Sequence, residues 1–321
     1  MTKVIGTREA TVQLIQELYI DLRNKVNEWS QITKQTPQAR MGYVGQHLVS
    51  VVTGFPGGRS GARGHDIELP DGKYGEIKTC YKVDQLGHCK DCNSTVSSIE
   101  IECPACGSKN IERKNDSKWL ITIRNDTEFE EVLNPLVYYF VLFDYDDIAN
   151  PDDNKIIASI WEVNPKNKGF AYCMMDYYLN IRSASESKAP FNMWPYSLKF
   201  ALTKPRLIFR CEILDNNVII TKFPDQEHGV FSLDPLYEYS SARTVTGECV
   251  IDLISNMEPD YPIPNKPKKK LLEIAENIRV EKHIPDDDLI DVLIDGIYLP
   301  LLEKKKDQIP LKYREMYPDL K

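Results

Sequence analysis

Three side chains that can do chemistry stand close together in the stretch Gly64-His65-Asp66-Ile67-Glu68-Leu69-Pro70-Asp71-Gly72-Lys73-Tyr74-Gly75-Glu76-Ile77-Lys78. Pro70-Asp71-Gly72 has turn chemistry, proline presetting φ and glycine allowing φ > 0. The chain around it therefore reads as a hairpin, with strands at 66–69 and 73–81. In a strand, residues two apart share a face, so Glu76 and Lys78 project together while Ile77 turns to the core. Asp66 comes to lie across the hairpin from them. Two carboxylates and an ammonium then converge on one edge. Carboxylate oxygens are the hard ligands that Mg2+ takes, one or two per ion, with water and phosphate completing the shell. A metal there lowers the pKa of bound water and stabilises charge on a phosphodiester in flight. A neighbouring lysine orients the water or neutralises the transition state. The same trio in a solvated hairpin would be no more than a salt-bridged face.

A second set is made of thiols. Cys89/Cys92 and Cys103/Cys106 are two Cys-x2-Cys pairs separated by ten residues. Such spacing lets two knuckles close a tetrahedron on one Zn2+, and the same four thiolates also suit iron. Four protein ligands leave no open position, so the site reads as structural. Asn93 and Gly107 follow the second cysteine of each pair, where a knuckle turn calls for positive φ. His88 is adjacent but redundant. Cys80, Cys173, Cys211 and Cys249 have no ligand spacing and read as core residues.

The elements that must position these groups follow from periodicity. Residues 8–29 are helical in pattern, with Thr7 as N-cap, and a second helix covers 38–52. Residues 53–64 hold five glycines and a proline and form a loop leading into Asp66. The knuckles occupy 85–112. Strands are expected at 118–123, 136–143, 156–163 and within 198–214, and helices at 126–133 and 172–181. Residues 257–270 hold four prolines and read as a linker before a mostly helical tail. The division expected is 1–255, with the zinc module inserted at 85–112, and 256–321. The class is α/β: a mixed sheet flanked by helices with a four-cysteine insertion.

Charge argues at first against a polyanionic partner, since the formal net charge is −8. Its distribution changes that reading. Residues 125–165 carry ten acids against Lys155 alone, and 166–222 carry nine bases against four acids. Arg59 and Arg63 sit in the glycine-rich loop beside Asp66, where a backbone can come close to phosphate and arginine can grip it. The segment 188–210 interleaves Lys188, Lys199, Lys204, Arg206 and Arg210 with five aromatic residues. That pattern fits a duplex surface and equally a half-buried strand. No apolar run nears ~20 residues, and no secretory leader is visible, so a cytoplasmic protein without membrane contact is expected.

Asp66, nine residues, then Glu76-Ile77-Lys78 resembles the PD-(D/E)XK nuclease motif. With the zinc ribbon after the Glu-x-Lys strand and the glycine- and arginine-rich loop before the aspartate, the chain resembles type II restriction endonucleases of the MamI-like kind over about 38–145. The resemblance implies a restriction-endonuclease-like fold. It also implies a Mg2+-dependent endonuclease of double-stranded DNA within restriction-modification, with no organic cofactor, leaving 5′-phosphate and 3′-hydroxyl ends. Asp66 and Glu76 would hold the metal, Lys78 would activate water, and a homodimer would cut a palindrome. His65 stands where the motif name has proline. The family often adds a helix glutamate, and this chain has Gln46 there, with Glu17 and Glu28 the other sources of charge. Glu68 is a further auxiliary candidate. Two alternatives stay open: a repair or junction-resolving nuclease with the same centre, and a non-catalytic zinc-ribbon nucleic-acid-binding protein.

Overall fold

The computed structural model describes residues 3–38, 42–58, 65–97, 100–146, 155–187 and 189–320. Along the chain, α1 (Arg8–Ile15), a π-helical turn at Gln16–Asp21, α2 (Leu22–Thr33) and α3 (Gly42–Thr53) precede the hairpin of β1 (Ile67–Glu68) and β2 (Tyr74–Tyr81). The cysteine module holds β3 (Leu86–Cys89), β4 (Thr95–Ser97) and β5 (Ile111–Glu112). Then come β6 (Trp119–Ile121), α4 (Asp126–Leu133), β7 (Val137–Tyr145), β8 (Ile156–Val163), α5 (Lys168–Asp176), β9 (Phe191–Met193) and α6 (Leu198–Ala201). The remainder is β10 (Arg206–Leu214), β11 (Asn217–Lys222), β12 (Gly229–Val230), α7 (Gly247–Met257), α8 (Lys268–Lys282), α9 (Asp286–Glu303) and α10 (Leu311–Met316).

These elements form two compact units, each assembled from separate segments. One contains Met1–Leu120, Pro135–Val163 and Arg206–Gly229, and the other Ile121–Asn134, Asn164–Pro205 and Val230–Lys321.

The first unit is built on a mixed sheet in the order β1-β2-β7-β8-β10-β11. Only β2 and β7 run parallel; the other neighbours in this order are antiparallel. A parallel pair needs a long crossover, and the cysteine module lies within it. β7 buries its first seven residues, which is why it reads as an unbroken apolar run. Tyr139, Val141 and Phe143 join Tyr19, Leu48, Val52, Ile77 and Phe209 in one core beneath α1 and α3. Thr7 caps α1 by accepting from the Ala10 N–H at 3.3 Å. The helix expected over 8–29 runs on to Thr33, widened in the middle by the π turn.

In the second unit, α4 occupies the residues its pattern predicted, and Asn125 caps it through the Glu128 N–H at 2.9 Å. The expected helix at 172–181 starts earlier, at Lys168, because Asn167 caps it by accepting from the Gly169 N–H. Two expectations are corrected here. Residues 198–201 are helix rather than strand, since Ser197 accepts from the Phe200 N–H and starts a turn. Lys268–Lys270 begin α8 rather than ending a linker, and Lys268 Nζ donates to the Ala242 and Val245 carbonyls.

Helix α3 lies very close to β2. A Cβ on Gly45 would stand 2.0 Å from Thr79 Oγ1 and 2.7 Å from its Cγ2. Gly45→Ala should therefore destabilise the fold by about 1–3 kcal/mol through overpacking. Thr79→Ala in the same chain should restore part of that loss. A double-mutant cycle of urea midpoints checks both, and a purely additive pair would refute the contact.

Candidate active site

The hairpin register places Ile67 opposite Gly75 and Glu68 opposite Tyr74. Asp66 thus sits one step before β1, its N–H donating to the Gly75 carbonyl at 3.1 Å. Its side chain turns over the edge of β2, where Oδ2 accepts from the Ile77 N–H at 2.9 Å. The Ile77 N–H, beyond the reach of the two-residue β1, is thereby satisfied by a carboxylate. Oδ1 accepts from Gln46 Nε2 at 3.1 Å. Gln46 can reach because its neighbour Gly45 lets α3 rest on Thr79. On the other side, Pro56–Gly58 runs against the hairpin. Glu68 N–H donates to the Pro56 carbonyl and Gly58 N–H to the Asp66 carbonyl, both at 3.0 Å. A Cβ on Gly58 would fall 1.9 Å from the His65 oxygen, so this approach demands glycine. The His65 ring stacks on Tyr74 at 3.7 Å, occupying the place of the motif's proline.

Glu76 and Lys78 share a face of β2 and form an ion pair through Glu76 Oε1. Both are sheltered, with side-chain exposures of 12% and 25%. Burial pushes the Glu76 carboxyl above the usual carboxylate range; Lys78 opposes the shift and neighbouring Asp66 adds to it. Glu76 Oε2 is buried without a hydrogen-bond donor among the described residues. Two adjacent carboxylates, one with an orphaned buried oxygen, form a donor set that fits a hard divalent cation.

The structure thus brings together Asp66, Glu76, Lys78 and Gln46. Glu68 lies exposed at the hairpin's outer strand. Glu17 is tied to Lys3 and Gln13, and Glu28 to Lys25, all on the exposed side of the first helices. Arg59, Arg63 and Lys188 lie outside the described residues. In the basic and aromatic segment, Phe191, Phe200 and Phe209 are core residues, and Lys204 is paired with Asp291 at 2.8 Å. The interleaving there is largely that of half-buried elements, with Trp194 and Tyr196 left exposed.

Sequence reasoning missed two neighbours of the centre. Tyr138 pairs in register with Glu76 and is buried; burial raises its pKa well above normal, and the charges of Glu76 and Asp66 raise it further. Asp84, just beyond β2, is also buried, and burial raises its pKa. Tyr19 Oη donates to Asp84 Oδ2 at 2.9 Å, and Arg23 Nε lies 3.4 Å from Oδ1. Neither contact has a local signal, because strand register and helix-to-strand packing are set by tertiary structure.

The cysteine module has β3 between β4 and β5. Its two knuckles repeat one pattern: Asn93 N–H donates to the Cys89 carbonyl and Gly107 N–H to the Cys103 carbonyl, both at 2.8 Å. Asn93 and Gly107 have φ of 58° and 73°, the positive values the spacing called for. The four Sγ atoms lie within 4.8 Å of one another, with Cys89 to Cys106 at 3.7 Å and Cys92 to Cys103 at 3.6 Å. Thiolates about 2.3 Å from a central zinc would stand at such separations, so the cluster can hold a metal such as zinc. His88 instead approaches Glu112 at 3.8 Å, and the other four cysteines are buried.

With this geometry in view, comparison with known proteins decides the family. The profile of the MamI restriction endonuclease family matches residues 28–236, which include the whole hairpin centre and all four clustered cysteines. The chain belongs to the MamI restriction endonuclease family. It is also 33% identical over 81 residues to the type II restriction enzyme MamI of Microbacterium ammoniaphilum. That alignment spans 24% of this chain and 25% of that enzyme, so about a quarter of the relative's length is covered. No solved structure matches. Among the described residues, no helix is long and apolar enough to cross a membrane.

Two outcomes follow from the charges and thiols. A carboxyl whose folded pKa is raised favours the fold while it is protonated, and that support is lost as pH rises through the folded pKa. In buffer free of divalent metal, Glu76→Gln should therefore raise the urea midpoint at pH 8. The gain should shrink as pH falls through the raised folded pKa and vanish below the ordinary glutamate range; a gain that grows at low pH would contradict the burial. Cys92→Ser and Cys103→Ser should each lower bound zinc measured by atomic emission, and should loosen the module because metal binding and folding are linked.

Proposed function

We propose that the chain is a Mg2+-dependent, site-specific endonuclease of double-stranded DNA, of the type II restriction kind, with Asp66, Glu76 and Lys78 as its catalytic residues. The observation that carries this reading is the buried Glu76 Oε2 without a donor among the described residues, set beside Asp66 and Lys78 in a member of a restriction endonuclease family. Asp66 and Glu76 are the residues that would hold Mg2+, which when bound would supply Lewis-acid stabilisation of the phosphoryl oxygens.

The chain's own groups do the rest. The Ile77 N–H and the Gln46 amide fix both oxygens of Asp66, so the carboxylate meets its ligand without reorganising. Lys78, held by Glu76, brings an ammonium to the place where negative charge develops and can orient the attacking water. Water attacks phosphorus in line with the leaving 3′-oxygen, giving 5′-phosphate and 3′-hydroxyl ends. Gln46 is neutral at the place where the PD-(D/E)XK resemblance often puts a helix glutamate, so this centre offers two carboxylates rather than three. The four-cysteine module serves as a structural zinc ribbon. On a palindromic site, a two-fold homodimer would cut both strands.

Purified protein with Mg2+ should cut plasmid DNA into discrete bands, and Glu76→Ala or Lys78→Ala should abolish cutting while retaining DNA binding. A smear would favour a repair or junction-resolving nuclease with the same centre. Full cleavage by both variants would sink the assignment.

A further inference from the structure

Beside Lys78 the first unit has a cavity of about 670 Å³ whose lining includes Gln46, Lys78, Thr79, Gln85, Ser117 and Lys118. Its floor is the outer edge of β2. Pairing with β1 stops at Gly75, so from Ile77 onward no strand among the described residues covers that edge. In a parallel pair, alternate residues bond the neighbouring strand while those between them turn away. Ile77 N–H bonds Asp66 and Lys82 N–H bonds the Phe143 carbonyl of β7. The backbone groups of Thr79 therefore open into the cavity, in line with Ile77.

The polar groups here suit a nucleic-acid strand. Lys118 and Lys78, the latter paired with Glu76, put two ammonium groups on the lining, and Asp84, the acid there, is engaged by Tyr19 and Arg23. Gln85 Oε1 is buried with no hydrogen-bond partner among the described residues. Gln85 as a whole is only half-buried on the lining, and its amide oxygen, once the side chain turns into the groove, accepts from an exocyclic amino group such as adenine N6 or cytosine N4. A peptide adding to the sheet is a poorer occupant, because Asp66 already takes the first outward N–H of that edge.

We propose that this groove holds the DNA strand next to the scissile phosphate, Lys118 contacting a neighbouring phosphate and Gln85 a base edge. The inference rests on the nuclease reading above, yet it assigns binding residues that reading does not need. The cavity is continuous with Lys78, so a strand that presents a phosphate to the centre enters the groove within a nucleotide or two.

The test is the salt dependence of duplex binding, measured by fluorescence anisotropy of a labelled 30-base-pair DNA with Ca2+ in place of Mg2+. Each phosphate contact contributes about 0.9 to the slope of log K against log salt. Lys118→Gln, which keeps the first two methylenes of the stem, should lower the slope by about one at unchanged melting temperature, and Lys118→Arg should keep it. Gln85→Leu should leave the slope alone and slow cleavage at the preferred sequence about tenfold. A wild-type protein that binds DNA, with an unchanged slope in Lys118→Gln, overturns the groove and leaves the nuclease centre standing. Absence of duplex binding by the wild type at any salt overturns both.

Discussion

The arrangement at the hairpin turns on one electrostatic conflict, two carboxylates side by side with one of them buried. At about 4 Å and an effective dielectric near 20, two like charges repel by roughly 4 kcal/mol. The surroundings answer this conflict from several directions. Lys78 supplies a positive charge to Glu76 Oε1, and the Ile77 N–H and Gln46 amide supply donors to Asp66. Each donor depends on something further out. Ile77 is free to donate because β1 is only two residues long, and Gln46 is in reach because Gly45 has no side chain. What these donors do not satisfy is Glu76 Oε2. The conflict is thus reduced by the fold but not cancelled, which is the state in which a divalent cation binds with the greatest gain.

The cysteine module bears on the same centre through the chain that joins them. It lies in the crossover between β2 and β7, whose parallel register sets where Glu76 and Lys78 face. Arg23 of α2 lies between Asp84, at the end of β2, and Glu100 of the module, at 3.4 and 3.9 Å. Asn27 donates to the Glu100 side chain and Arg113 to its carbonyl, both at 2.8 Å. A metal holding the two knuckles together shortens the effective crossover and so lowers the entropy that the parallel pairing must overcome. No open coordination position is needed for that role, and none is offered by four thiolates.

What could be read from the sequence was whatever is decided locally. The knuckles were legible because two residues of spacing and one positive φ define them, and Asn93 and Gly107 have that φ. The hairpin was legible from Pro70-Asp71-Gly72, and α4 and β8 from unbroken periodicity. Residues 198–201 were not, because Leu198, Phe200 and Ala201 are buried on all sides and a short buried helix has no period distinct from a strand. Within the centre, Asp66, Glu76 and Lys78 share one hairpin and so could be paired on paper. Tyr138 and Asp84 could not. The first depends on the β2–β7 register, and the second on the packing of Tyr19 and Arg23 against the end of β2.

The acidic total reads differently once the partners are visible. Within the described part of the acidic block, several acids are neutralised close at hand. Glu128 binds Arg124, Glu130 binds Lys312, Asp144 binds Lys82 and Asp146 binds Lys155. Paired acids contribute little field beyond a Debye length of about 8 Å at physiological ionic strength. The acids at the hairpin are different in kind, because among the described residues Lys78 alone stands against Asp66 and Glu76 together. Under the proposed nuclease reading, a phosphodiester approaching that centre would meet net negative charge until a divalent cation was in place. Occupancy of the carboxylates would then govern access of the substrate as well as the chemistry.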